Sequence, residues 1–410
     1  MCTIENLGER IRKLRKQKNL TLEGLAGDQL TKGMLSLIEN GKANPSMESL
    51  NYIARQLDVE TIDLLSEFST SDLRELLEQV EEQFKVEFEN LKDEYDQIIE
   101  LVKPYADKIP LSYESARLLE LYSRCLFHKK NNNWRKYYDE SINRYEKLNL
   151  INQRAKMITF YAMTKFTEHQ YADALRIIQT ERQRLEHQNG VLDAMTRLDY
   201  NYYESILCFA VGETEKAVEV MNEAIKYSKE HRIFYRTDDL YRLAAFEAMM
   251  AGHNANMEYY LKKLAQYAAF ADHKMTEAFV DLMKAHYYNT YAKDYEAALS
   301  FIDHYFKEPG KDISFFYPEM GKSLYGMGQY EQALKWLEDY KIPDYIHHPY
   351  DLSMLYTTDS YKALCFLNLG HDEEALKFAK LAVDNVSTMP HSPYKDFIND
   401  TYGYIKDQIK

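Results

Sequence analysis

Five segments of this chain repeat one local pattern, in which a turn residue is followed by an alanine and an amphipathic helix. They are HQYADALRIIQ, VGETEKAVEVM, KDYEAALSFID, GQYEQALKWLE and GHDEEALKFAK, with marker alanines Ala174, Ala217, Ala297, Ala333 and Ala375. A degenerate copy, GHNANMEYYLKKL, places Met257 at the same point, so that successive spacings are 43, 40, 40, 36 and 42 residues. NNNWRKYYDESI, nearer the N-terminus, is a weaker copy. Each marked helix follows another of similar length, so the repeating unit is a helical hairpin of about 40 residues. This period constrains the fold strongly, because one hairpin cannot bury its apolar face alone and must stack on its neighbours. Alanine at the marker lets two helix backbones approach, and large rings fill the groove beside it. The 35 tyrosines suit that packing.

The pattern resembles the tetratricopeptide repeat, with units longer than the usual 34 residues. The resemblance implies an all-α chain whose residues 105–410 form seven hairpins stacked into a right-handed superhelix with a concave inner face. Composition agrees, since nine prolines and 14 glycines in 410 residues leave long helices uninterrupted. No apolar run approaches the roughly 20 residues needed to span a membrane. The N-terminus, MCTIENLGERIRKLRK, is charged within ten residues, which argues against a secretory leader. Cys2, Cys125, Cys208 and Cys365 are scattered, with no CxxC pair. They read as small buried hydrophobes in a reducing, cytoplasmic setting.

The formal charge of −14 is unevenly distributed. Residues 1–66 hold nine basic and nine acidic groups, whereas residues 67–410 hold 42 and 56. Basic residues crowd early, at Arg10, Arg12, Lys13, Arg15, Lys16 and Lys18, so any nucleic acid is expected at the first segment. That segment reads as five short helices. Leu7, Ile11 and Leu14 follow helical spacing. Thr21 and Thr31 stand where N-caps belong, Asn40-Gly41 ends the third helix, Pro45-Ser46 opens a fourth, and a fifth begins near Glu60.

The pieces LGERIRKLR, SLIENGKANPS and ESLNYIARQL together resemble the Cro/repressor (XRE-type) helix-turn-helix over residues 5–65. The resemblance implies binding to double-stranded DNA. Thr31, Lys32 and Ser36 would face bases or backbone, and Lys42 and Asn44 would meet phosphates. It also implies a structural ion pair between Arg15 and Glu39. Leu22 departs from the family at the start of helix two, and Gly33 and Leu37 depart from it on the recognition helix. The turn containing Gly27 and Asp28 is about one residue short. Residues 67–104 read as a linker, helical over 71–103 and ending before Pro104. Its stripe of Leu73, Leu77, Val80, Phe84, Leu91 and Ile98 is broken at Glu87. The stripe suits packing on its own chain or a dimerising seam.

A helix-turn-helix, a linker and a long repeat array together resemble the cytoplasmic RNPP peptide-pheromone receptors, in particular their neutral-protease-regulator branch. The resemblance implies a quorum-sensing transcription regulator, a homodimer or higher oligomer, controlled by a short signalling peptide on the concave face. Counting back from each marker gives inward positions on the first helix of each hairpin. These are Lys156 and Thr159; Asp199 and Tyr202; Asp239 and Arg242; Phe279, His286 and Asn289; Lys322; and Asn368. Amides suit an extended backbone, so Asn289 is the expected backbone clamp, and Arg242 the expected partner of a peptide carboxylate. The alternatives are a Rap-like module that sequesters or dephosphorylates a response regulator, and a regulator whose repeats bind another protein. The chain carries no P-loop, HExxH or dinucleotide turn, so neither an enzyme, a cofactor nor a metal is expected. His347-His348, beside Pro349, reads as an exposed loop pair, and His128, His169 and His231 as isolated.

Overall fold

The computed structural model describes residues 7–61, 64, 70–84, 93–188, 190–306 and 314–409, among which there is no β-strand. The chain forms two compact units, residues 1–157 and 158–410.

The first unit begins with α1 (Leu7–Gln17), α2 (Leu22–Ala26), α3 (Lys32–Glu39) and α4 (Met47–Gln56). Each of the three later starts is fixed by a hydroxyl. Thr21 accepts from the Gly24 amide at 2.9 Å, Thr31 from Met34 at 3.1 Å and Ser46 from Ser49 at 3.2 Å. Ile11, Leu25, Leu35, Ile38, Leu50 and Ile53 fill the space between the helices. A Cβ at Gly8 would stand 2.2 Å from the Ile38 carbonyl oxygen, so α1 can lie against α3 only with glycine there. The expected Arg15–Glu39 pair is present and bidentate, at 2.6 and 2.8 Å, with Arg15 also donating to the Leu20 carbonyl at 2.9 Å. Of the fifth expected helix only Thr61 and Leu64 are described. Cys2 lies outside the described residues.

The single helix expected over residues 71–103 is corrected by the structure. α5 (Thr70–Gln83) and α6 (Glu94–Val102) touch each other, and both touch α7 (Tyr113–His128). At 1.5 Å per residue, collinear helices separated by ten residues would stand about 15 Å apart and could not meet. Leu73, Leu77 and Val80 share one core with Ile98, Val102, Leu118 and Leu121. The apolar stripe is therefore buried within its own unit, where the apolar face of α7 lies close at hand. Glu87 and Leu91 lie outside the described residues. α7 pairs with α8 (Trp134–Lys147), and Tyr145 donates to the buried Glu120 at 2.6 Å.

α9 (Ile151–Thr167) runs from the first unit into the second. α10 (Tyr171–His187), α11 (Ala194–Val211) and α12 (Thr214–His231) follow, then α13 (Thr237–Met250), α14 (Asn254–Ala271) and α15 (Lys274–Tyr287). After α15 come a π-helical turn (Tyr288–Ala292), α16 (Tyr295–Phe306), α17 (Tyr317–Gly326) and α18 (Tyr330–Asp339). The unit ends with α19 (Pro349–Asn368), α20 (Asp372–Val386) and α21 (Pro393–Gln408). Helices pair as 11/12, 13/14, 15/16, 17/18 and 19/20, and each hairpin also touches the next, which is the stacking that the repeat requires.

Ala174, Ala217, Ala333, Ala375 and Met257 are buried at the crossings. The fourth marker is corrected, because Ala298 rather than Ala297 is fully buried. Two adjacent alanines in KDYEAALSF made the register ambiguous by one residue. α17 meets its neighbours through glycine instead. A Cβ at Gly321 would fall 2.3 Å from Leu337, and one at Gly326 would fall 2.2 Å from the Tyr295 ring. Cys125, Cys208 and Cys365 are buried and unpaired, and burial pushes each thiol up to about 12.

The Arg15–Glu39 pair is only 12% and 4% exposed. Replacing Glu39 by Ala strands the guanidinium, and the expected cost is about 3 kcal/mol. Denaturant unfolding of the full chain measures this, and a loss below about 0.5 kcal/mol, the range of a neutral surface change, would contradict it.

Candidate functional site

On the first unit, α3 turns Leu35, Ile38 and Glu39 inward. Thr31, Lys32, Gly33, Met34 and Leu37 are exposed, Ser36 is half-buried, and Lys42 and Asn44 are exposed in the loop that follows. The five residues expected at DNA thus reach solvent on or next to one helix. Three already have local partners. Lys32 Nζ lies 3.8 Å from Glu23, Thr31 caps α3, and the Ser36 carbonyl accepts from Asn40 Nδ2 at 2.7 Å.

The second unit holds a half-open cavity of about 280 Å³ lined mainly by the first helices of successive hairpins. α11 supplies Tyr202, Ile206 and Phe209, and α13 supplies Asp239, Arg242, Phe246, Glu247 and Met250. α15 supplies Phe279, Met283 and His286, and α19 supplies Tyr350, Asp351 and Met354. Tyr345, Ile346, His347 and His348, from the segment before α19, complete the wall. That segment is tied across the array at two points. Tyr171 donates to the His347 carbonyl at 2.7 Å, and His348 Nε2 donates to the Ile206 carbonyl at 3.0 Å. His348 Nδ1 accepts from the Tyr350 amide at 3.2 Å and so caps α19. The expectation of an exposed His347-His348 pair is therefore corrected. Both line the cavity, and His169, expected to be isolated, packs its ring 5.7 Å from that of His347. Among the described residues no group of three or more His, Cys, Asp or Glu could hold a metal.

Behind one wall lies a buried polar network centred on Glu319. Lys322 Nζ donates to its Oε1 at 2.7 Å and Asn289 Nδ2 to its Oε2 at 3.0 Å. His286 Nδ1 lies 2.8 Å from Oε1. An ionised carboxylate only accepts, so Nδ1 carries the proton and Nε2 accepts from the Tyr394 hydroxyl at 2.9 Å. Burial alone would raise the Glu319 carboxyl, but the Lys322 ammonium and His286 outweigh it and hold the group far below its ordinary value. Burial lowers the His286 imidazole despite Glu319, so this ring is neutral near pH 7.

The eight positions expected to bind peptide divide in three. Tyr202, Asp239, Arg242 and His286 line the cavity. Arg242 stacks 4.8 Å from the Phe279 ring centroid, lies 3.9 Å from Asp239 and is 44% exposed, so its guanidinium can still take a ligand group. Asp239 is held by Arg236 at 2.7 Å. Asn289 and Lys322 are corrected, being buried in the network and not among the lining residues. Asn289 does clamp a backbone, but that of α17, donating to the Glu319 carbonyl at 2.8 Å and accepting from Ser323 Oγ at 2.8 Å. Lys156 and Asn368 are corrected as well. Lys156 is exposed on α9 within the first unit, and Asn368, at the end of α19, donates to its own helix at Leu364. Asp199 bonds Arg236 and Tyr235, and Thr159 is buried. Sequence reasoning missed Glu319, Tyr394 and the His347-His348 segment. Two signals were present: Glu319 and Lys322 are spaced i,i+3 on one helix, and His348-Pro349 marks a helix start.

Residues 8–67 match the helix-turn-helix domain family. The HTH-type transcriptional regulator DdrOP3 of Deinococcus deserti is 40% identical over 60 residues, 14% of this chain. The match spans 46% of that relative, about half its length. Among solved structures the chain is similar to Bacillus thuringiensis PlcR in complex with the peptide PapR7 and DNA. There the identity is 20%, coverage is 67% of this chain and 99% of that one, and the TM-score is 0.38. It is similar to a tetratricopeptide repeat protein of Parabacteroides merdae at 14% identity, 76% and 98% coverage and a TM-score of 0.41. It is also similar to the competence regulator ComR of Streptococcus vestibularis with its signalling peptide XIP, at 19% identity, 68% and 97% coverage and a TM-score of 0.39.

Two outcomes follow from the network. Both His286 and Glu319 have folded-state values below their ordinary 6.5 and 4.5, so in acid the unfolded chain binds more protons than the folded one. Stability should fall as pH drops below about 6.5 and fall faster below 4.5. Denaturant unfolding across pH checks this, and in His286→Gln the loss between pH 6.5 and 5 should shrink. An unchanged slope would remove His286 from the account. Asn289→Ala should cost about 1–3 kcal/mol by stranding buried partners. Altered ligand binding with unaltered stability would contradict that role.

Proposed function

We propose that the chain is a quorum-sensing transcription regulator. In this reading its helix-turn-helix binds double-stranded DNA, and a short signalling peptide in the cavity of the second unit controls that binding. The observation that carries the reading is the cavity itself. It is lined by the first helices of successive hairpins, mostly aromatic and aliphatic, and it lies in a chain that also bears a helix-turn-helix. Ligand sites combine an apolar wall with a few placed polar groups in this way. Arg242 supplies a cation for a carboxylate, while Asp239, Glu247 and Asp351 supply acceptors.

At about 280 Å³ the cavity suits apolar side chains of a peptide. Apolar anchors enter the cavity, and the segment Tyr345–His348 shifts to admit the rest. That movement is the event transmitted to DNA binding. Small helix-turn-helix domains gain affinity from two symmetric half-sites, so the regulator acts as a homodimer or higher oligomer. Among the described residues no helix is long and apolar enough to cross a membrane, which suits a cytoplasmic setting. A response regulator as partner of the repeats is the second reading, and the same titration separates the two.

The test is a titration of synthetic heptapeptides drawn from small secreted reading frames of the source genome, read by thermal stability, oligomer mass and DNA affinity. One peptide should raise the melting temperature and change DNA affinity. Arg242→Ala should weaken its binding about tenfold or more, the scale of a hydrogen bond to a charged group. No shift with any peptide, together with tight binding of a response regulator, would overturn the proposal.

A further inference from the structure

The outer face of α3 carries an apolar stripe that the fold does not use. Met34 and Leu37 are each 45% exposed, one turn apart, while Leu35 and Ile38 fill the core from the opposite side. Gly33 stands i,i+4 from Leu37 on the same face. A Cβ built on Gly33 would meet nothing within 4 Å, so packing does not demand glycine there. Glycine at the second position of α3 leaves a bare stretch of backbone beside two apolar side chains.

Hydrogen-bonding groups on this face are few. The Thr31 hydroxyl accepts from the Met34 amide, and the Ser36 carbonyl and hydroxyl both face Asn40 Nδ2, at 2.7 and 3.5 Å. Lys32, in an exposed ion pair with Glu23 at 3.8 Å, and Lys42 are exposed nearby and fit phosphates. The centre of the helix is therefore poorly equipped for base-edge hydrogen bonds and well equipped for apolar contact. In the major groove one base bears an apolar group, the 5-methyl of thymine.

We propose that Gly33, Met34 and Leu37 form a thymine-methyl reader. Gly33 lets the helix seat closely, and Met34 and Leu37 cover 5-methyl groups of adjacent base pairs. Specificity at the centre of the recognition helix then rests on methyl burial, and the lysines contribute affinity without sequence preference. This inference rests on the reading of the first unit as DNA-binding.

The experiment uses the full chain and a pool of duplexes with random centres, selected by binding and sequenced. Thymine should be enriched at two or more positions of each half-site. In the selected duplex, replacing such a thymine by deoxyuridine removes only the methyl group. Affinity should fall about fourfold for each methyl lost, the value of one buried carbon. Met34→Ser and Leu37→Ser should each abolish the penalty at one position while keeping the salt dependence that reports phosphate contacts. Gly33→Gln should keep the helix content of the parent chain and bind the selected duplex more weakly. Equal affinity for the thymine and deoxyuridine duplexes would overturn the reader while leaving DNA binding in place. Failure to bind any duplex at low salt would overturn the DNA-binding reading itself. If Leu37→Ser changes the oligomer mass but not the thymine dependence, the stripe is an interface between copies and the reader is overturned.

Discussion

The second unit depends on one buried carboxylate. Glu319 is 4% exposed, and an unpaired charge there would be costly to keep. It is accommodated because its partners come from three parts of the array. Lys322 lies one turn along on the same helix, His286 and Asn289 come from α15 and the turn after it, and Tyr394 from α21 bonds the far side of His286. The arrangement links residues more than a hundred positions apart. It thereby ties the last helix to the middle hairpins and gives the cavity a polar wall. His286 and Glu319 belong to both the network and the cavity lining, so a ligand seated there presses on groups that hold the array together.

The rest of the array is built from close helix crossings. Alanine at the markers, and glycine at Gly321 and Gly326, allow backbones to approach. Because each hairpin packs mainly on its neighbours, the first helices present one continuous inner surface. The segment before α19 covers part of that surface through two hydrogen bonds, from Tyr171 and His348.

Local features of the fold were legible in the sequence. The caps Thr21, Thr31 and Ser46, the Arg15–Glu39 pair and the hairpin repeat all express short-range chemistry or a regular period. Five of the inward positions, Tyr202, Asp239, Arg242, Phe279 and His286, were legible because they lie on first helices at repeat spacing. Asn289 and Lys322 share that spacing but point into a network whose other members are distant in sequence, which periodicity cannot reveal. Lys156 is exposed within the first unit, and Asn368, the last residue of α19, is turned back onto its own helix at Leu364. The stripe from Leu73 to Ile98 was legible as apolar, but its choice of partner depended on the nearby face of α7. The segment Tyr345–His348 has no period at all, so its place over the cavity emerges only in three dimensions.

Hydrogen exchange of the full chain, with and without the heptapeptide selected by thermal stability, tests the central claim most directly. Peptide should slow exchange in α11, α13, α15 and the start of α19, together with the segment Tyr345–His348. The outer helices α12, α14 and α16 should change little. Protection confined to those outer helices, or spread evenly over the chain, would contradict a ligand held within the array.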